Sequence, residues 1–244
     1  MTWLLWLLYR VLNISLLASC ILSLTLSSTQ AAYAKYQPPR DQKPPSTYTD
    51  SSGVRGNCQT TGVSSPILLG PITHVGQTTS THPTFAWFVP YDQKIPIEFT
   101  LYEFDTNDQP TTLKYKYQLK SSPGIMKLSL PQQNQGLTSG KKYLWQVETL
   151  CNPNRPSRNL LVSAEIKVVQ MPSPLKILLS REREPSERAN SYAEAGIWYD
   201  ALGEALASTV DGQLRIVGLT LIQDLAQLEE SLQNLDLYNL ALSN

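Results

Sequence analysis

Between Ile67 and Val169 apolar and polar residues alternate with a period of two, and no other feature restricts the fold of this chain as strongly. Leu113, Tyr115, Tyr117 and Leu119 are separated by Lys114, Lys116 and Gln118. Met126, Leu128 and Leu130 flank Lys127 and Ser129, and Val162, Ala164, Ile166 and Val168 flank Ser163, Glu165 and Lys167. A strand sends successive side chains to opposite faces, so each segment has one dry and one wet side, as antiparallel sheets do. Turn formers interrupt the pattern at Pro90, Asn107-Asp108, Pro123-Gly124, Ser139-Gly140 and Asn152-Pro153. Seven strands are expected, near 66–72, 83–89, 96–104, 112–120, 124–130, 142–151 and 159–169. That number and spacing suggest an immunoglobulin-like β-sandwich.

The stretch LTSGKKYLWQ (Leu137–Gln146) resembles the fibronectin type III pattern in which a leucine, a tight turn and a tyrosine open the sixth strand. The resemblance implies a structural set of Leu137, Gly140, Tyr143 and Trp145, with the Tyr143 hydroxyl bonded back to nearby backbone. The expected fold class is therefore mainly β plus α: an immunoglobulin/fibronectin type III-like antiparallel β-sandwich followed by a small helical C-terminal region.

Past Met171 the period becomes helical. Ser173-Pro174 has the form of an N-cap followed by proline, opening a short helix through Leu175, Leu178 and Leu179. A second helix is expected from Pro185, with Tyr192, Ala195, Tyr199, Leu202 and Leu206 on one stripe. Trp198, Ala201 and Ala205 form another, so it should pack on two sides. Asp211-Gly212 breaks it, and a third helix carries Leu214, Val217, Leu221, Leu225 and Leu228. The tail 234–244 reads either as frayed helix or as a late strand. YAEAGIWYDAL (Tyr192–Leu202) has the spacing of one tetratricopeptide-type helical hairpin, a packing similarity and not an array.

Four regions are expected: a signal peptide over 1–34, a Pro/Ser/Thr-rich linker over 35–62, the sandwich over 63–170 and the helical region over 171–244. In the first, Arg10 precedes the apolar run Val11–Leu26, and Ala32-Tyr33-Ala34 forms a small-x-small cleavage site before Lys35. A lipid-attachment box at Leu17–Cys20 and an uncleaved anchor are the alternatives, and either would tether the body to a membrane. All three readings place it outside the cytoplasm, in the periplasm, cell envelope or medium.

Cys20 leaves with a cleaved signal, which leaves Cys58 and Cys151. In an oxidising compartment two such thiols are expected to pair; two free buried thiols are the alternative. No CxxC redox motif is present.

The chain balances 20 basic against 20 acidic residues, which argues against nucleic acid as a partner and against charge steering as the main mode of recognition. No nucleophile elbow, HExxH, P-loop or dinucleotide fingerprint occurs, so no catalytic residue, cofactor or metal site is assigned. The two histidines, His74 and His82, read as surface turn residues. Glu98 and Glu103 lie an odd number of residues apart, which in a regular strand puts them on opposite faces and weakens any carboxylate-pair chemistry. Asn152, Asn154, Arg155 and Arg158 form the most notable exposed polar cluster, a possible binding loop at the end of the sandwich.

Four blocks, RGNC (Arg55–Cys58), HPTFAWFVPY (His82–Tyr91), SPGIMKLSLP (Ser122–Pro131) with GKKYLWQVETLCNPNRPSR (Gly140–Arg158), and AGIWYDAL (Ala195–Leu202), together resemble a cyanobacterial domain-of-unknown-function family, number 928. The resemblance implies export and a sandwich-plus-helices plan, without an activity. The expected function is that of a non-catalytic adaptor binding an envelope or secreted protein. The alternative is a carbohydrate-binding or glycan-acting module using Trp87, Phe88, Tyr115 or Trp145.

Overall fold

The computed structural model describes residues 35–40, 44–45, 58, 63–152, 154–207 and 216–230. The expectations for the signal, for most of the linker, for the break at Asp211-Gly212 and for the tail lie outside the described residues. The fold is mixed β plus α, with two sheets and, among the described residues, four α-helices.

One sheet has the order β1-β3-β6, from Ile67–Leu68, Thr84–Val89 and Gly124–Ser129. The other has the order β2-β8-β7-β4-β5, from Gly76–Thr78, Leu160–Val168, Lys142–Thr149, Pro96–Phe104 and Pro110–Lys120. All pairings are antiparallel except that of β2 with β8. The dry faces meet through aromatic rings. Phe85 of β3 lies 5.1 Å from Phe99 of β4 and 5.2 Å from Trp145 of β7, centroid to centroid, and all three are wholly buried.

One strand expectation needs correction, and one strand pair carries an irregularity. The first strand, expected over 66–72, ends at Leu68, and the chain crosses to the other sheet before resuming as β2. Pro71 falls in the crossing and has no N–H to extend a ladder. In β4 the register against β5 shifts between Leu101 and Tyr102. The shift skips Lys114 of β5, the residue left without a Cα partner at that bulge. It leaves β4 in unbroken register with β7 from Ile97 to Glu103, so the parity argument holds. Glu98 pairs with Lys116 at 2.8 Å and Glu103 with Lys114 at 3.5 Å. Each carboxylate is neutralised by its lysine, with Lys141 adding a second contact to Glu103 at 3.2 Å.

The helices are α1 (Ser173–Leu179), α2 (Pro185–Glu194), α3 (Trp198–Ala207) and α4 (Ile216–Glu230). In α1 the cap is Pro172, not Ser173, and no side chain bonds the helix end. Leu175 and Leu179 are buried there, while Leu178 is exposed. The helix expected to run on from Pro185 is two, broken where Gly196 adopts a φ of 75°.

α3 packs on β2 and β3, one strand from each sheet, and its side chains enter the same core. The Trp198 indole N–H donates to the Leu69 carbonyl at 3.0 Å. The hydroxyl of Tyr199, fully buried, accepts the Trp145 indole N–H at 2.7 Å. Asp200 accepts from the Thr78 hydroxyl at 2.6 Å, the Thr79 N–H at 2.9 Å and the Thr79 hydroxyl at 2.8 Å. Burial raises its carboxyl value, and these donors draw it back down. On α4, Glu229 is wholly buried and accepts from the Ile72 and Thr73 N–H groups at 2.7 and 3.2 Å. Two buried acids from the helical region thus satisfy backbone donors of the crossing segment, groups that would be costly to bury unpartnered.

The region expected to be a free linker begins as a docked strap. Tyr36 is 1% exposed and its ring stands edge-on to Trp198, 4.8 Å between centroids. Its hydroxyl lies 3.0 Å from His74 Nε2, and its N–H donates to Asp224 Oδ2 at 2.9 Å. Gln37 N–H donates to the Ala193 carbonyl at 3.1 Å. A Cβ on Gly196 would stand 2.8 Å from the Gln37 carbonyl oxygen. Gly196→Ala therefore combines a left-handed backbone with a collision. It is expected to cost about 1–3 kcal/mol, read by urea unfolding, and to speed proteolysis after Lys35.

His74 is thereby a buried residue and not a surface one. Burial lowers its pKa from 6.5 to about 4. The unfolded chain takes up the proton first as pH falls, so stability is full above 6.5, declines between 6.5 and 4 and levels off below. The loss is about 3 kcal/mol. Asp200 and Asp224, whose carboxyl values burial raises, work in the opposite sense at the acid end. Thermal unfolding followed across that range should show the decline in the parent and a flatter profile in His74→Gln.

Candidate functional site

At one end of the five-stranded sheet, β7 runs out at Thr149 and the chain turns through Cys151 into a loop that returns as β8. Cys151 is bonded to Cys58, with their Cα atoms 5.5 Å apart, so the chain entering the sheets is tied to the end of β7. The loop is held by its own polar groups. Asn152 Oδ1 accepts the Asn154 N–H at 2.8 Å, an Asx turn, and Pro156–Arg158 forms one turn of 3-10 helix. Asn159, nearly buried, accepts the Cys151 N–H at 3.0 Å and donates to Glu148 Oε1 at 2.9 Å.

Beside this loop runs a groove of about 640 Å³ between the β3–β4 connection and the loop. Ile95, Pro96, Leu150 and Pro156 supply its apolar wall, and Glu148, Asn152 and Asn159 its polar side. Of the loop residues singled out from sequence, Asn152 lines the groove. Asn154 and Arg155 are exposed outside it, and Arg158 is half-buried. Neither arginine makes an ion pair with a described residue, nor does the exposed Lys94 at the opposite rim. Glu148, Asn159 and the Gln93–Pro96 wall were not legible as site residues, because their roles arise from contacts between distant strands.

The remaining residues singled out from sequence lie elsewhere. The Tyr143 hydroxyl accepts the Thr138 N–H at 2.9 Å, and Gly140, with φ of 84°, donates its N–H to the Val168 carbonyl. Leu137 and Trp145 are buried. Asn107-Asp108 forms a hairpin turn in which Asp105 Oδ1 accepts the Asn107 and Gln109 N–H groups at 2.8 and 3.0 Å. A second, shallower depression of about 350 Å³ lies against the edge strand β5, lined by Thr112–Tyr115, Asn134 and Gln135. There Tyr115 and Tyr117 stack at 6.2 Å, and Tyr115 donates to the Gln135 carbonyl. Among the described residues no cluster of His, Cys, Asp or Glu could hold a metal ion, and no helix is long and apolar enough to cross a membrane.

Taken together these features define a disulfide-tied protein of two facing sheets, walled on one flank by helices that share its core. The chain belongs to the DUF928 family, a domain of unknown function, whose family profile covers residues 50–235. No curated protein matches it.

Proposed function

We propose that the protein is exported and acts without catalysis, as an envelope adaptor that binds an envelope or secreted protein in the groove beside the Cys58–Cys151 bond. The observation that carries this reading is the groove itself. Its polar groups are already held by one another, Asn159 between Glu148 and Cys151; Lys94 stands on its rim and Arg155 just outside it, neither with an acidic partner among the described residues. A fixed apolar trough with a basic rim suits an extended, acidic segment of a partner. The leader-like N-terminus and the disulfide support export. The order of strands across the two sheets and the Thr138–Tyr143 bond support an immunoglobulin/fibronectin type III-like sandwich.

A photo-crosslinking residue in place of Pro156, in protein exported by its own cell, tests the reading. One discrete product is expected, weakened by salt and lost in an Arg155→Glu/Arg158→Glu variant that keeps the parent's melting temperature. No product, or one indifferent to charge reversal, would remove the adaptor reading.

The glycan reading retains one favourable observation, the stacked Tyr115–Tyr117 pair in its polar depression. Trp87 and Trp145 are fully buried and cannot serve as a platform. Glycan-array binding abolished by Tyr115→Ala would favour it over the adaptor.

A further inference from the structure

Resting on the export reading above, we propose that hydrolysis of the Ala34–Lys35 bond frees an α-ammonium group that pairs with Asp224, so that processing completes the strap at the protein's helical flank. Water adds across that peptide bond, leaving a carboxylate on Ala34 and an amine on Lys35 that takes up a proton. The agent is an export protease that reads small residues, and Ala32-Tyr33-Ala34 presents them.

The placement of Asp224 is what points to a charged terminus. Tyr36 N–H already donates to its Oδ2 at 2.9 Å, and Oδ1 has no partner among the described residues. The nitrogen of Lys35 is the next backbone nitrogen before that of Tyr36, so cleavage as proposed sets the freed group beside the same carboxylate. Lys35 is exposed while Tyr36 is buried against Trp198 and His74. The anchored part of the strap therefore begins at Tyr36, one residue past the proposed scissile bond. Asp224 is half-buried on α4, and the attraction of Lys35 partly offsets the rise that burial imposes on its carboxyl. A second positive charge at that place meets an acceptor that is already partly desolvated.

The test uses the full chain, exported with its own leader. N-terminal sequencing of the product should begin at Lys35; any other first residue, or an uncleaved chain, overturns the proposal. In a second chain, Ser-Gly inserted between Ala34 and Lys35 leaves the same cleavage site but moves the ammonium two residues outward. Its product should melt about 2–4 °C lower than the parent's. In an Asp224→Asn background the insertion should make no difference. An insertion that costs nothing in the parent, or costs as much in Asp224→Asn, overturns the pairing. The α-amine should also react with an acylating reagent near neutral pH about tenfold more slowly in the parent than in Asp224→Asn, the change expected for one unit in its pKa. Equal rates in the two would count against the ion pair even if Tyr36 docks as described.

Discussion

Breaking the Cys58–Cys151 bond, by reduction or by a Cys58→Ser/Cys151→Ser pair, is expected to lower the free energy of unfolding by about 2–5 kcal/mol. The two residues are 93 apart in sequence, and closing a loop of that length restricts the unfolded chain strongly. The chain-entropy relation gives about 4–5 kcal/mol for it, an upper figure when the open chain keeps residual structure. The effect should be concentrated in the unfolded state, because the Cys151 end of the bond is placed independently of it. Cys151 N–H is bonded to Asn159, and Leu150 N–H to the Pro96 carbonyl at 2.9 Å. Urea titrations with and without reductant would show this as a shifted midpoint with a larger slope in the reduced protein, whose unfolded chain exposes more surface. A midpoint that does not move on complete reduction would mean the bond constrains nothing the sheets do not already hold.

The second large effect is expected at Tyr199. Tyr199→Ala empties a fully buried aromatic site touching Phe85 and Trp145, at a cost of about 3–5 kcal/mol. Tyr199→Phe is the finer probe. It keeps the ring and removes the acceptor for the Trp145 indole N–H, together with a long bond of 3.5 Å donated to the Glu165 carbonyl, leaving a buried donor unmatched at about 1–3 kcal/mol. Because the ring belongs to α3 and its partners to the two sheets, helix and sheets should melt together. Far-ultraviolet helix signal and tryptophan fluorescence should therefore follow one curve in the parent. Two separated transitions would show that the helical flank is a domain of its own.

The β part of the fold was readable because its signal is local. A strand with one dry face writes that face into every second residue, as in Tyr115–Leu119 or Val162–Val168. What escaped reading depended on the partner. Tyr36 sits among prolines and glutamines that look like linker, and nothing nearby indicates that Trp198 and His74 offer it a socket. Asp200 and Glu229 look like solvent-facing acids on amphipathic helices, but each matches backbone donors more than 120 residues away in sequence. The break at Gly196 had a local signal, a glycine just past a helix end, which the continuous apolar stripe outweighed. The bulge at Lys114 of β5 had none, because the apolar alternation from Leu113 to Tyr115 runs straight through it. In the candidate groove, Asn152 could be singled out from its turn, whereas Glu148 and Asn159 acquire their roles only when β7 and β8 lie side by side.

The crossing segment from Leu69 to Thr79 has consequences for the order of assembly. Its backbone and hydroxyl groups are matched by Trp198, Asp200 and Glu229, and β2 lies parallel to β8, with Gly76 beside Ile166. Almost none of these partners exists when the segment itself emerges from a ribosome or a translocation pore. The early third of the chain must wait, with donors unpaired and apolar residues wet, until the last helices arrive. Such a protein closes from its end backwards, and folds slowly for its size. In the interval its exposed apolar residues are open to contact with neighbouring chains.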